Sequence, residues 1–139
     1  MAYFNYTICH PDKQEIETSS EILSHAEALE MARNYPWAET LSSMDGMDPK
    51  SIHYSPSLEF INQSDKRAFT LTATLEGGKP EFSLWYVRMV PPSGLSKLFG
   101  GSEKKKISDS WGYDLESALK YLESFLNEDY SSVEGIYKN

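Results

Sequence analysis

The chain has 139 residues, 40% of them hydrophobic and 13% aromatic, which is the length of one domain with enough apolar side chains for one core. Its 21 acidic and 13 basic side chains give a formal charge of -8, which disfavours phosphate backbones and anionic lipid as primary partners and makes a basic partner electrostatically easier. No apolar run reaches the roughly 18 residues of a membrane-spanning helix. The opening MAYFNYTICHPDKQ lacks a basic segment followed by an apolar one, and the single cysteine, Cys9, has no internal disulfide partner. The expectation is a cytoplasmic protein with no integral membrane association and no nucleic-acid partner.

Tyr3 to Ile8 is rich in β-favouring residues and runs into the turn signal His10-Pro11-Asp12, which predicts a first strand, with Gln14 to Thr18 placed to return antiparallel. Ser24-His25-Ala26-Glu27 has the spacing of a capping box. It predicts a helix to about Asn34, with Ile22, Ala26, Leu29 and Ala32 or Arg33 as its apolar stripe. Pro36 ends that helix. Trp37 to Leu41 has room for one short turn, and the turn formers from Ser42 to Pro49 read as loop.

Three strands are predicted next, over Ser57 to Asn62, Ala68 to Leu75 and Glu81 to Val90. In the second, Phe69, Leu71, Ala73 and Leu75 alternate with three threonines, so one face is buried and the other wet. Gly77-Gly78 supplies the positive backbone angles of a tight hairpin to the third. There Phe82, Leu84, Tyr86, Arg88 and Val90 alternate with Ser83, Trp85, Val87 and Met89. Both faces are apolar, which places the strand centrally and requires a second covering layer or a partner on one side.

Pro91-Pro92 stops the third strand, and Ser93 to Lys106 reads as a long loop carrying Leu95, Leu98 and Phe99 among Gly, Ser and Lys. Lys105 to Trp111 is a last strand candidate. Asp114 then caps a helix whose stripe is Leu115, Ala118, Leu119, Leu122 and Phe125 or Leu126. Tyr130 to Asn139 has three open outcomes: fraying, an edge strand, or packing back through Val133, Ile136 and Tyr137. The whole reads as a single α+β domain over residues 1–139. Its predicted form is a two-layer sandwich, with a mostly antiparallel sheet of about four to six strands, helices on one face and a C-terminal helix.

Chemistry-bearing patterns are absent. His10, His25 and His53 stand apart, and no metal site is expected. Cys9 with His25 or His53 is a formal nucleophile and base, but nothing local orients them, and a half-buried structural cysteine explains the residue better. Asp45-Gly46-Met47-Asp48 lacks the alternating ligands and distant glutamate of a calcium loop. Gly100-Gly101-Ser102 followed by Lys104-Lys105-Lys106 lacks the residue order and the following helix of a phosphate loop. The expectation is a protein that is not an enzyme, has no cofactor and works by binding a protein partner.

Trp37, Trp85 and Trp111 read as core or rim residues. If the two-faced strand marks an interface, Trp85, Tyr86 and Arg88 are its anchors. Leu98 and Phe99 beside the lysines carry the alternative of a peripheral membrane or regulatory domain acting through the Leu95 to Lys106 loop. A small-ligand-binding domain is the remaining alternative.

The run Trp111-Gly-Tyr-Asp-Leu-Glu-Ser-Ala-Leu-Lys-Tyr-Leu-Glu-Ser-Phe125, following a meander with Phe82-Ser-Leu-Trp-Tyr-Val87, resembles the sheet-then-terminal-helix pattern of small bacterial immunity proteins from contact-dependent and polymorphic toxin systems. The resemblance covers the second half of the chain and carries over no invariant site residue. It implies stoichiometric inhibition of a basic toxin domain by an acidic face, with Glu116, Glu123, Glu128 and Asp129 as its carboxylates.

Overall fold

A computed structural model describes residues 2–90 and 104–137 of the chain. The sheet has six strands: β1 (Phe4–Cys9), β2 (Glu17–Leu23), β3 (Ser57–Asn62), β4 (Ala68–Glu76), β5 (Lys79–Val90) and β6 (Lys104–Tyr113). Their spatial order is β2-β1-β3-β4-β5-β6, with every neighbouring pair antiparallel. Among the described residues the helices are α1 (His25–Asn34), α2 (Trp37–Met44), α3 (Leu115–Leu126) and α4 (Tyr130–Gly135), with a 3-10 turn at Pro49–Ser51. This is the predicted α+β architecture, with the helices packed on one face of the sheet. No helix among the described residues is long and apolar enough to cross a membrane.

Alternation decides which face the helices take. Phe4, Leu58, Phe60, Phe69, Leu71, Ala73, Phe82, Leu84 and Tyr86 share one side of the sheet and are buried. Against them lie Ala28 and Ala32 of α1, Trp37 and Leu41 of α2, the apolar stripe of α3, and Val133 of α4. The α3 stripe is the predicted one, with Ala118, Leu119, Leu122, Phe125 and Leu126 all buried. Asp114 caps that helix by accepting from the Ser117 amide at 2.8 Å.

The capping box of α1 is present in both directions. Ser24 Oγ accepts from the Glu27 amide at 3.2 Å, and Glu27 Oε1 accepts from the Ser24 amide at 3.0 Å. The bond from the Ser24 amide, with the Ser24 hydroxyl as a lesser cause, holds the Glu27 carboxyl below its ordinary value. Ser24→Ala is expected to lower the unfolding free energy by about 1 kcal/mol, read as a lower urea midpoint at unchanged slope. An unmoved midpoint would mean that solvent satisfies the freed amide equally well.

Three local expectations change. Ile22 belongs to β2, where it is exposed, and the buried stripe of α1 is Ala28 and Ala32. The segment read as a turn followed by loop forms α2 because Trp37 enters the core. Its indole donates to the Ala32 carbonyl at 2.9 Å and meets Phe82 edge-on at 5.1 Å. The returning strand, expected over Gln14 to Thr18, is Glu17–Leu23, whereas β5, read as central, is interior to the sheet, between β4 and β6.

The chain's last turn packs back on the core, as one of the three outcomes allowed. Val133 is fully buried, and Tyr137 stacks on Tyr86 with its hydroxyl donating to the Leu84 carbonyl at 3.0 Å. Asn62, also fully buried, anchors the preceding turn. It donates to Glu128 Oε2 and to the Tyr130 hydroxyl and accepts from the Ser64 amide, so none of its polar atoms is orphaned.

Candidate interface on the bare sheet face

The face opposite the helices has no helix or strand over it among the described residues. Register places its side chains in rows across the sheet. Thr70 lies beside Trp85 and Asp109, Thr72 beside Ser83 and Trp111, and Ala68 beside Val87 and Ile107. Most of this surface is polar, with Thr7, Glu59, Thr70, Thr72 and Thr74 on it, as an unroofed antiparallel sheet requires. The β5–β6 end breaks that rule.

There Ile107 is 61% and Trp111 59% exposed, next to the half-buried Trp85, Val87 and Met89. The two indoles meet edge-to-face, with centroids 5.8 Å apart at 71°. Each is held by a short bond at its polar end. Trp85 Nε1 donates to Ser83 Oγ at 2.9 Å, and Trp111 Nε1 donates to Asp109 Oδ2 at 2.7 Å. Ser83 lies on the bare face beneath them and is only 1% exposed, so the pair already excludes water from the strand below.

Gly112 makes this arrangement possible. Phe82 pairs with Tyr113 while Ser83 pairs with Trp111, so Gly112 is an extra residue at a bulge, with φ of 94°. The left-handed backbone there favours glycine. It keeps Trp111 on the bare face and returns Tyr113 to the helical face, where its ring meets Tyr121 edge-on at 5.8 Å.

On the same face Asp109 lies within the patch, opposite Trp85 and bonded to Trp111, Glu81 is two residues from Ser83, Glu59 is two strands from Trp85 across Thr70, and Lys105 stands opposite Met89. An exposed apolar surface with mainly acidic neighbours is the layout of a protein-binding patch. Two rigid indoles restrained by hydrogen bonds lose little side-chain freedom when a partner covers them.

The residues singled out from sequence separate into distinct places. Trp85 stands on the bare face. Its neighbour Tyr86 points the other way into the core, 1% exposed, with its hydroxyl donating to Glu134 Oε2 at 2.8 Å. Burial first, and that bond second, hold the Tyr86 hydroxyl protonated well above the ordinary tyrosine range. Arg88 is half-buried on the helical side. Leu95, Leu98 and Phe99 lie outside the described residues, whereas Lys104, read as loop, and Lys105 and Lys106, read both as the end of the loop and as the start of the last strand, belong to β6.

Glu116 and Glu123 are exposed on α3, facing Arg33 at 3.4 Å and His25 at 4.0 Å. Glu128 and Asp129 fall in the turn after α3. Glu128 accepts from Asn62, and Asp129 caps α4 by accepting from the Ser132 amide. All four carboxylate residues are exposed, Glu116 and Glu123 along α3 and Glu128 and Asp129 in the turn that follows it. Trp111, Ile107 and Val87 were not singled out as interface residues from sequence.

Cys9 lies on the bare face in register with Ser57, and burial, with Glu59 as a lesser cause, pushes its thiol up. It forms no hydrogen bond to a histidine among the described residues: His10 bonds Glu17 at 3.0 Å, and His25 lies against Glu123. Among the described residues no group of three or more His, Cys, Asp or Glu side chains converges to hold a metal ion. Comparison with known proteins found no matching family model, no matching curated protein and no matching solved structure.

Proposed function

We propose that this chain is a protein-binding domain that takes a basic partner on the bare face of its sheet, and that it acts as a stoichiometric inhibitor of the immunity-protein kind. The observation that carries the reading is the restrained Trp85–Trp111 pair beside exposed Ile107, an apolar patch on a face with no layer over it among the described residues. Aromatic side chains in such settings supply most of an interface's binding energy. The carboxylates Glu59, Glu81 and Asp109 on this face, on a chain of charge -8, support a basic partner and a fast encounter with it.

The inhibitory role rests on the resemblance to immunity proteins, and the sheet face replaces α3 as its docking surface. Glu116 lies 3.4 Å from Arg33 and Glu123 lies 4.0 Å from the His25 ring, and Glu128 and Asp129 hold local structure.

A photo-crosslinking amino acid placed at Trp111 tests the surface, with the same group at exposed Lys120 on α3 as the control. Irradiation in the source cell is expected to give one discrete product from position 111 and none from position 120. Equal products at both positions, or none at 111, would remove the bare face as the docking site.

A further inference from the structure

A polar cleft lies on the helical side of the β5–β6 strand pair. In the β5–β6 register Arg88 stands directly opposite Lys106, and Tyr86 opposite Ser108. Like charges facing each other across an antiparallel pair destabilise it. Neither cation has an ion-pair partner among the described residues. Together with Tyr86, Ser108, Glu134 and Tyr137 they line a cleft of about 160 Å³, room for a single small polar group. Arg67, stacked over the Tyr130 ring at 4.0 Å, adds a third positive charge within Coulombic reach of the Tyr86 hydroxyl. On a chain that is acidic elsewhere, this end is locally cationic.

We infer that the cleft binds a tetrahedral oxyanion that carries a proton at neutral pH, inorganic phosphate, between Arg88 and Lys106. The guanidinium fork and the ammonium each donate charge-assisted bonds to such an ion, and the Ser108 hydroxyl supplies a further donor. The anion also relieves the cross-strand repulsion that the unfilled pair carries. Floor and wall are rigid. Tyr137 is stacked on Tyr86 at 6.1 Å and 10°, and both hydroxyls are committed, to Leu84 and Glu134.

Glu134 gives the site its selectivity. One of its oxygens accepts from Tyr86, and the other has no hydrogen-bond partner among the described residues. A carboxylate repels an oxyanion that has no proton to donate and accepts a bond from one that has. Inorganic phosphate keeps a P–OH at neutral pH, whereas sulfate has none and a phosphomonoester, with a second pKa of about 6, has mostly lost its own.

Isothermal titration of the full chain with sodium phosphate, glycerol phosphate and sodium sulfate, at ionic strength matched with chloride, tests this. Saturable phosphate binding is expected, with sulfate about tenfold weaker or more. Arg88→Gln and Lys106→Gln, whose side chains are outside the core, should each weaken phosphate by a similar factor with unchanged far-UV circular dichroism. Glu134→Gln keeps an acceptor for Tyr86 and should bring sulfate up to the level of phosphate. Glycerol phosphate, mostly a dianion without a P–OH at neutral pH, should be excluded along with sulfate, and its binding as well as inorganic phosphate would overturn the selectivity assigned to Glu134. Phosphate heats that do not saturate, or phosphate affinity unchanged in both Arg88→Gln and Lys106→Gln, would overturn the site.

Discussion

Replacing Phe125 with alanine is expected to remove about 3–5 kcal/mol of folding stability, the largest loss of any single truncation in the core. The ring is fully buried near the end of α3, within 6.4 Å centroid distance of four others. These are Phe4 on β1, Phe69 on β4, Tyr86 on β5 and Tyr130 on α4, so one side chain ties the terminal helices to three strands. Removing it opens a cavity that these rings, fixed by strand register, cannot collapse to fill. A domain of this size has only about 5–15 kcal/mol in total. Urea unfolding followed by tryptophan fluorescence reads the effect as a lower midpoint, with Phe125→Leu recovering part of it. A loss near 1 kcal/mol would mean that α3 shifts to close the gap.

Much of this architecture is written in local patterns that tertiary packing does not override. The Ser24–Glu27 box and the Asp114 cap fix two helix starts by their own hydrogen bonds. Gly77 and Gly78, at φ of 57° and 80°, set a two-residue hairpin whose flanking Glu76 and Lys79 pair. The threonine alternation of β4 fixes which side of that strand is wet. By contrast, α2 has no capping signal, since Pro36 precedes it without a side-chain bond, and its composition reads as turn. It is helical because Trp37 reaches the Ala32 carbonyl and Phe82, contacts that exist only in the folded chain.

The candidate site was half legible for a related reason. An apolar pattern on both faces of β5 announces that helices alone will not cover it, but does not say which face they take. Tyr86 and Trp85 therefore looked equivalent, and the structure gives one to the core and the other to the bare face. Trp111 joins Trp85 only through the β5–β6 register and the bulge at Gly112, neither of which any short sequence window encodes.

Trp111→Thr combined with Trp85→Thr is expected to weaken the partner about 30-fold to 1,000-fold, the cost of about 2–4 kcal/mol that paired aromatic anchors carry when truncated. Threonine keeps the β-preference of both positions, so the strand itself persists. Titration of the crosslinked partner, once isolated, measures the loss, and thermal unfolding of the variants alone separates binding from stability. The separation matters because the indole pair also roofs Ser83, and Trp85 donates to it. Trp111, more than half exposed and bonded only to Asp109 of its own strand, contributes little to folding, so Trp111→Thr alone should leave the melting temperature within a few degrees of the native value. Weakened binding in that single variant, at native stability, makes the exposed ring a contact surface. A variant that melts early while its binding per folded molecule is unchanged makes the pair a lid over β5, and the docking surface must then be sought elsewhere on the domain.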